Sequence, residues 1–336
     1  MQTLNRRRFA GYLAAGAATA IAGWTAAPHA AHAQAVIVGA GPAGAAAALA
    51  LKGAQPARPV LLVERDPTRM GRTATAAFDK PAAGPGLDAL RRAGVQVVLD
   101  DVADIDWRAA RLELFSGRAL PFDQLLLAPG TAARPEPIAG LDAAARHRWP
   151  AAWGNAREAR RLRAQLAALP AAGHVVLRLP ATPGHQAAAL NRALHMATWL
   201  HHNRPNARFS VLDGGTGTDL AARFHAALDR QGLDIAAKWH SAAQGGTVLA
   251  VDAPRGVLDT NAGRLRADVV NFVLPQGAGA IARRAGLVDA SDWCPTDARG
   301  LSTRRADVAI LGDARKSAAR TVAGALQSGR AAAALV

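Results

Sequence analysis

Ala35-Val36-Ile37-Val38-Gly39-Ala40-Gly41-Pro42-Ala43-Gly44 is the stretch on which the fold turns. Its four leading apolar residues read as a buried parallel strand. The glycines that follow are spaced G-x-G-x-x-G. A helix-forming stretch, Ala45 to Leu51, comes next and closes at Gly53. A second apolar run, Val60-Leu61-Leu62-Val63, ends in Glu64, 20 residues beyond Gly44.

Each part of this order has a mechanical reason. Gly39 allows a tight turn, Gly41 lets the backbone approach a pyrophosphate, and Gly44 lets the helix pack closely on the sheet. Pro42 suits the first helical position, where its missing N–H has no intrahelical partner. The helix N-terminus offers N–H groups and the positive end of a dipole to phosphate. Glu64 can accept hydrogen bonds from an adenosine ribose. Strand, loop, helix, strand and acid in sequence predict a bound dinucleotide, FAD or NAD. The alternative is a structural glycine turn in a Rossmann sheet that has lost its ligand. Far along the chain, Ala306 to Leu311 reads as a further strand and runs into Gly312-Asp313, ahead of a helix-prone tail, Thr321 to Val336. An Asp at a strand's carboxyl end sits where open α/β sheets bind ligands.

Toward the amino terminus, residues 1–33 read as a targeting segment. Arg6-Arg7-Arg8 form a charged start, Phe9 to Ala27 an apolar stretch, and Ala31-His32-Ala33 a small-x-small cleavage site. Asn5-Arg6-Arg7-Arg8-Phe9 resembles the twin-arginine signal, whose pathway exports folded proteins to the periplasm. Gly11, Gly16 and Gly23 weaken the stretch as a permanent anchor, which is the alternative. No later run has about 18 uninterrupted apolar residues, so no stable membrane span is expected after cleavage.

Composition narrows the classes further. The 336 residues suit one large or two ordinary α/β domains. Half are apolar and 19% are charged, which speaks against intrinsic disorder. The single cysteine, Cys294, excludes an internal disulfide, a CxxC redox pair, a four-cysteine zinc site and a c-type haem attachment motif. The formal charge is +15, and only Lys52, Lys80, Lys238 and Lys316 of the 40 basic residues are lysine. Loss of the leader's three arginines leaves about +12. The arginines are scattered through alanine and glycine with no aromatic interleaving, so no nucleic-acid partner is expected.

The middle of the chain is less explicit. Arg111-Leu112-Glu113-Leu114, the turn at Ser116-Gly117 and Arg118-Ala119-Leu120 read as a small meander. Pro135, Pro137 and Gly140 mark a linker. Ala156 to Leu169 is a basic amphipathic helix with Arg157, Arg160, Arg161 and Arg163, a solvated face or a docking site for an acidic partner. His174 to Leu179 should open a second nucleotide-type half, yet Pro180-Ala181-Thr182-Pro183-Gly184 lacks the glycine pattern and N–H donors a phosphate needs. Gly214-Gly215-Thr216-Gly217, after the strand Phe209 to Leu212 and Asp213, reads as a surface turn. NADH is therefore not the expected electron source. His195, His201 and His202 have no carboxylate or cysteine at ligand spacing, so no metal site is expected.

With Gly312-Asp313 at its end and Ala128-Pro129-Gly130 after the apolar run Leu125-Leu126-Leu127, the sequence resembles two-dinucleotide flavoproteins of the pyridine nucleotide–disulfide oxidoreductase type. In those proteins the terminal Gly-Asp binds the ribityl chain of FAD. The match is nearer to one branch, the flavoprotein subunit of flavocytochrome c sulfide dehydrogenase. Leu4-Asn5-Arg6-Arg7, Gly94-Val95-Gln96-Val97-Val98, Ala152-Trp153, Asn271 through Gly286-Leu287 with its Pro275-Gln276, Trp293-Cys294-Pro295-Thr296-Asp297 and Gly312-Asp313-Ala314 carry it. The resemblance implies non-covalent or tethered FAD and electron transfer from sulfide to a c-type cytochrome in the periplasm. It also implies two redox cysteines, whose positions here hold Gln186 and Arg315. No cysteine lies within Arg69 to Ala76, where the branch can tether its flavin, so the FAD is expected to be non-covalent. The branch's carboxyl-terminal domain has no counterpart before Val336.

The expected fold is α/β with two Rossmann-like halves of the glutathione-reductase type, the second degenerate. Residues 34–137 and 249–336 should form a discontinuous FAD half and 138–248 the second half. The candidate cofactor contacts are Gly39, Ala40, Gly41, Pro42, Ala43, Gly44, Glu64, Arg65, Val102, Ala128, Pro129, Gly130, Gly312 and Asp313. His185, beside the position of a missing cysteine, is the one acid–base candidate. The leading expectation is a periplasmic FAD oxidoreductase that takes electrons from a small, sulfur-type reductant. The competing one is a non-catalytic protein that kept the fold and lost the chemistry, serving as a partner or binding subunit.

Overall fold

In the computed structural model the described residues are 34–67, 70, 85–153, 156–182, 186–216 and 219–335. The expected leader 1–33, Arg69 and residues 71–76 of the tether region, the segment Pro183-Gly184 and the candidate His185 lie outside them.

The chain opens as the glycine pattern requires. β1 (Ala35–Val38) is fully buried, and α1 (Pro42–Ala54) starts at Pro42 with Gly41 as its N-cap. The inner face of α1 is almost all alanine, from Ala43 to Ala48, with Leu51, so the helix axis can approach the sheet closely. β2 (Val60–Glu64), α2 (Leu87–Arg92) and β3 (Gln96–Leu99) follow. β4 (Val102–Asp106), β5 (Arg111–Leu114) and β6 (Ala119–Pro121) form the expected antiparallel meander. Its turn has Gly117 at φ +83°, where a side chain would be strained. β7 (Gln124–Leu127) then returns to the first sheet, parallel to β1 in register Val38 to Leu127, and β8 (Thr131–Ala133) leaves it.

α3 (Ala143–Arg148) is capped by the Asp142 carboxylate on the Ala145 N–H at 2.7 Å. α4 (Ala156–Ala167), β9 (His174–Leu179), α5 (Gln186–Asn203), β10 (Arg208–Asp213), α6 (Leu220–Gln231) and β11 (Ala236–His240) alternate as a second β-α-β series. β12 (Val248–Asp252), β13 (Val257–Thr260) and β14 (Gly263–Arg266) make a small antiparallel sheet. β15 (Val269–Phe272) pairs in parallel with β9, giving the second sheet the order β11-β10-β9-β15. This corrects the expected boundary at 249. A short buried apolar run such as Val269–Phe272 fits either parallel sheet, and its pairing with β9 places it in the second, so the chain returns to the first only after Phe272.

β16 (Gln276–Ala278) pairs with β8 as the chain returns, and α7 (Ala280–Arg284) follows. β17 (Val308–Ile310) then pairs with β7, completing the order β17-β7-β1-β2-β3. α8 (Val322–Ala331), begun by the Thr321 side chain on the Gly324 N–H, ends the described chain with a short 3-10 turn. Gly329 lies against α1, where any Cβ would strike the Ala43 carbonyl and lie 2.8 Å from the Ala46 Cβ. The fold is thus mixed α/β with two parallel Rossmann-like sheets, each carrying its own apolar core. Among the described residues no helix is long and apolar enough to cross a membrane.

Candidate functional site

The glycines converge at the carboxyl ends of three neighbouring strands. Gly39 leaves β1 at φ +98°, its N–H on the Val63 carbonyl at 2.8 Å, and a Cβ there would run into the Ala128 carbonyl. Gly44 faces back onto Gly39, whose carbonyl a Cβ at 44 would overlap. Gly41 differs: its backbone is extended and a Cβ would meet nothing within 4 Å. Two glycines therefore serve packing, and the one between them leaves the loop open where the first helical turn presents its N–H groups. Ala40 and Ala43 are buried beside them.

Glu64 closes this loop from the next strand. Its carboxylate is 7% exposed, accepting the Ala40 N–H at 2.6 Å and the Asp66 N–H at 2.8 Å. The acid read as a ribose ligand is therefore also the brace that fixes the glycine turn. Ala128 donates its N–H to the Val38 carbonyl at 2.9 Å, Pro129 packs against Gly279, and Gly130 has φ +63° with open space where a Cβ would be. Gly312, at φ +65°, donates to the Ser328 Oγ at 3.0 Å, and a Cβ there would stand 2.8 Å from the Ala43 Cβ. Asp313 follows in the 3-10 turn after β17. Its charge acts on Arg320, whose pKa is lowered by burial against the opposing pull of Asp313. The Arg320 guanidinium lies 3.6 Å from the centre of the Trp293 ring.

Gly39, Ala40, Gly41, Pro42, Ala43, Gly44, Glu64, Ala128, Pro129, Gly130, Gly312 and Asp313 thus lie at or just beyond the carboxyl ends of the adjacent strands β1, β2, β7 and β17. Arg65 and Val102 do not join the loop. Arg65 is exposed in a 3.8 Å ion pair with Asp101. Val102 is buried with Val63 and Leu114, its carbonyl accepting from Arg284 at 3.0 Å. Ser328, which accepts the Gly312 N–H, Gly329, which packs on Ala43, and the Arg320–Trp293 pair coupled to Asp313 border these residues, and sequence reasoning missed them. Only the small pair Ser328-Gly329 inside a helix gave a signal, since Gly in a helix interior often marks close packing.

The positions of the expected redox pair hold no sulfur. Gln186 is exposed at the start of α5, and the Arg315 Nε is 3.4 Å from the Thr296 Oγ1. Cys294 is fully buried, its backbone held by the Ala314 carbonyl and the Lys316 N–H. Burial pushes its thiol up to about 12, with the nearby Asp289 charge adding to it. It carries no thiolate at neutral pH.

The profile of the pyridine nucleotide-disulphide oxidoreductases matches residues 33–329. The chain belongs to that family. Its members are FAD- and NAD(P)-dependent flavoprotein oxidoreductases, so a flavin-dependent redox function comes with membership. Solved structures share the fold. The covalent putidaredoxin reductase–putidaredoxin complex is 20% identical over 91% of this chain and 75% of that one, with a TM-score of 0.70. The water-forming NADH oxidase from Lactobacillus brevis, bound to NADH, is 15% identical over 90% and 69%, at 0.66. The sulfide:quinone oxidoreductase from Aquifex aeolicus is 17% identical over 84% and 68%, at 0.61.

The second sheet of this pyridine nucleotide-disulphide oxidoreductase has its own buried acid. Asp213 ends β10 at 2% exposure and accepts the Gly215 N–H at 2.9 Å and the Trp239 indole N–H at 3.2 Å. Of the expected surface turn Gly214-Gly215-Thr216-Gly217, Gly217 lies outside the described residues; the reading is corrected at Gly215, which is buried together with Asp213, while Thr216 is exposed. The indole donor, one strand away on β11, draws the acid inward. His201 and His202 bond backbone carbonyls of Asp234 and Thr198, and His195 is exposed. Among the described residues no group of three His, Cys, Asp or Glu side chains is placed to hold a metal ion.

Proposed function

We propose that the chain is a periplasmic FAD-dependent oxidoreductase of the flavocytochrome c sulfide dehydrogenase kind. It takes electrons from a small reductant, sulfur-bearing by that resemblance, and passes them to a c-type cytochrome. The carrying observation is the close packing of Gly39, Gly44 and Gly312, which leaves no room for a Cβ, while Gly41 stays open before the first turn of α1.

The residues present fit FAD. The first-turn N–H groups of α1 would hold the pyrophosphate, Glu64 has lone pairs left that would serve a ribose, and Asp313, at the end of β17, would bind the ribityl chain. The one cysteine is buried away as Cys294, so the flavin is held without a cysteinyl tether. Bound FAD supplies two-electron acceptance and one-electron release. The chain's own part is placement and charge. Arg320, parked over Trp293 and coupled to Asp313, keeps a positive charge there. Gln186 and Arg315 cannot form a disulfide for a sulfide ion to attack, so the reductant delivers its electrons without a protein persulfide. The arginines Arg157, Arg160 and Arg163, exposed on α4, suit an acidic cytochrome surface.

The absence of sulfur at those two positions also favours the second reading, a non-catalytic subunit on the same fold. An absorption spectrum of the exported protein after incubation with FAD separates them. The oxidoreductase is yellow, bleaches with dithionite or sulfide and recolours with oxidised cytochrome c. Colourless protein that takes up no FAD sinks the proposal and leaves the binding subunit.

A further inference from the structure

A groove of about 930 Å³ opens between α3, α4 and the end of β12. None of its lining residues belongs to the candidate dinucleotide site. The floor is apolar and rigid: buried Ala145, Val251 and Ala253, with Pro254 at the edge. Gly140 is clamped onto it at φ +79°, where a Cβ would strike the Val251 carbonyl, and the Val251 N–H binds the Ala139 carbonyl at 2.8 Å.

The lining holds two carboxylates, Asp142 and Asp252, and two guanidiniums, Arg148 and Arg161. Asp142 is engaged as the N-cap of α3, and Asp252 is engaged by the Arg255 side chain and N–H, each at 3.2 Å. Neither Arg148 nor Arg161 meets a carboxylate among the described residues; Arg161 bonds only the His147 carbonyl, at 2.9 Å. His147 is exposed at the same rim. Between them the Gln165 Nε2 donates to the Arg148 carbonyl at 2.8 Å, while its Oε1 is buried with no partner.

We infer that this groove binds a small amphipathic anion. Its carboxylate or sulfonate meets Arg148 and Arg161, and its apolar body covers Ala145, Val251 and Ala253. Guanidinium forks recognise such groups bidentately, and the volume falls in the range of small-molecule sites. A bare inorganic anion leaves the apolar floor uncovered.

The probe is 1-anilinonaphthalene-8-sulfonate, which carries a sulfonate, two aromatic rings and one N–H. It is titrated by fluorescence into the FAD-saturated full chain. Arg148→Glu should weaken its binding about tenfold, and so should Ala144→Trp, which fills the exposed rim of the groove without changing charge. Both variants should keep the parent circular dichroism and flavin uptake. Equimolar inorganic sulfate should not displace the probe. Unchanged probe affinity in both variants overturns the site, and displacement by sulfate at probe concentration overturns its amphipathic character.

Discussion

Two side chains give the sharpest expectations at this scale. Glu64 fixes the glycine turn through the buried Ala40 N–H at 2.6 Å. Glu64→Ala orphans that donor and should cost about 1–3 kcal/mol of stability. It should also weaken FAD retention, whereas Glu64→Gln keeps an acceptor and should lose less. Urea unfolding and a flavin titration of both variants check this; equal losses would show that the charge alone matters. Cys294 gives a sharper expectation. With its thiol pushed up to about 12 by burial, it should resist a disulfide reagent at pH 8 in native protein. It should react once, stoichiometrically, in guanidinium. Fast reaction of the folded protein would overturn the burial.

Asp289 and Lys316 strap together the two ends of the segment between them. The Asp289 carboxylate accepts from the Lys316 Nζ at 2.7 Å and from the Ser291 N–H at 2.8 Å, with the Ser291 hydroxyl on the same oxygen. Lys316 first, then Ser291, holds its pKa down to about 2. A carboxylate depressed in the folded state stabilises fully above its unfolded pKa of about 3.9 and loses that contribution as pH falls toward 2. Lys316→Met should therefore flatten the fall in stability between pH 4 and pH 2, read from denaturant midpoints; an unchanged acid limb would remove the strap from acid sensitivity. Elements such as β1, α1 and β2 were legible in sequence because strand period, glycine spacing and the terminal acid are all local. β15 was not, because its membership of the second sheet is decided by pairing with β9, far away in the chain. The burial of Asp213 was equally invisible, since the indole that holds it comes from β11. Arg65, which pairs with Asp101, and Val102, buried with Val63 and Leu114, had no local signal of their own.

At the scale of the whole molecule, one ion pair joins the linker to the second sheet. Arg178 on β9 is 3% exposed, with both Nη atoms on the Glu136 carboxylate at 2.5–2.6 Å and one on the Val273 carbonyl. Glu136 lies between Pro135 and Pro137, where the chain leaves the first half. Glu136→Gln leaves a buried guanidinium without its counter-charge and should cost about 3–5 kcal/mol. Chemical denaturation should show the loss with FAD uptake intact; a loss below about 1 kcal/mol would mean water replaces the carboxylate. The other tie is α8 on α1, glycine against alanine, with β17 beside β7. Those closing pieces leave the ribosome long after the loop they complete, so the first sheet waits through nearly all of translation with one edge unpaired. Nascent-chain arrest before residue 308 should accordingly yield a species that cannot colour itself with flavin, which makes cofactor loading a post-translational event.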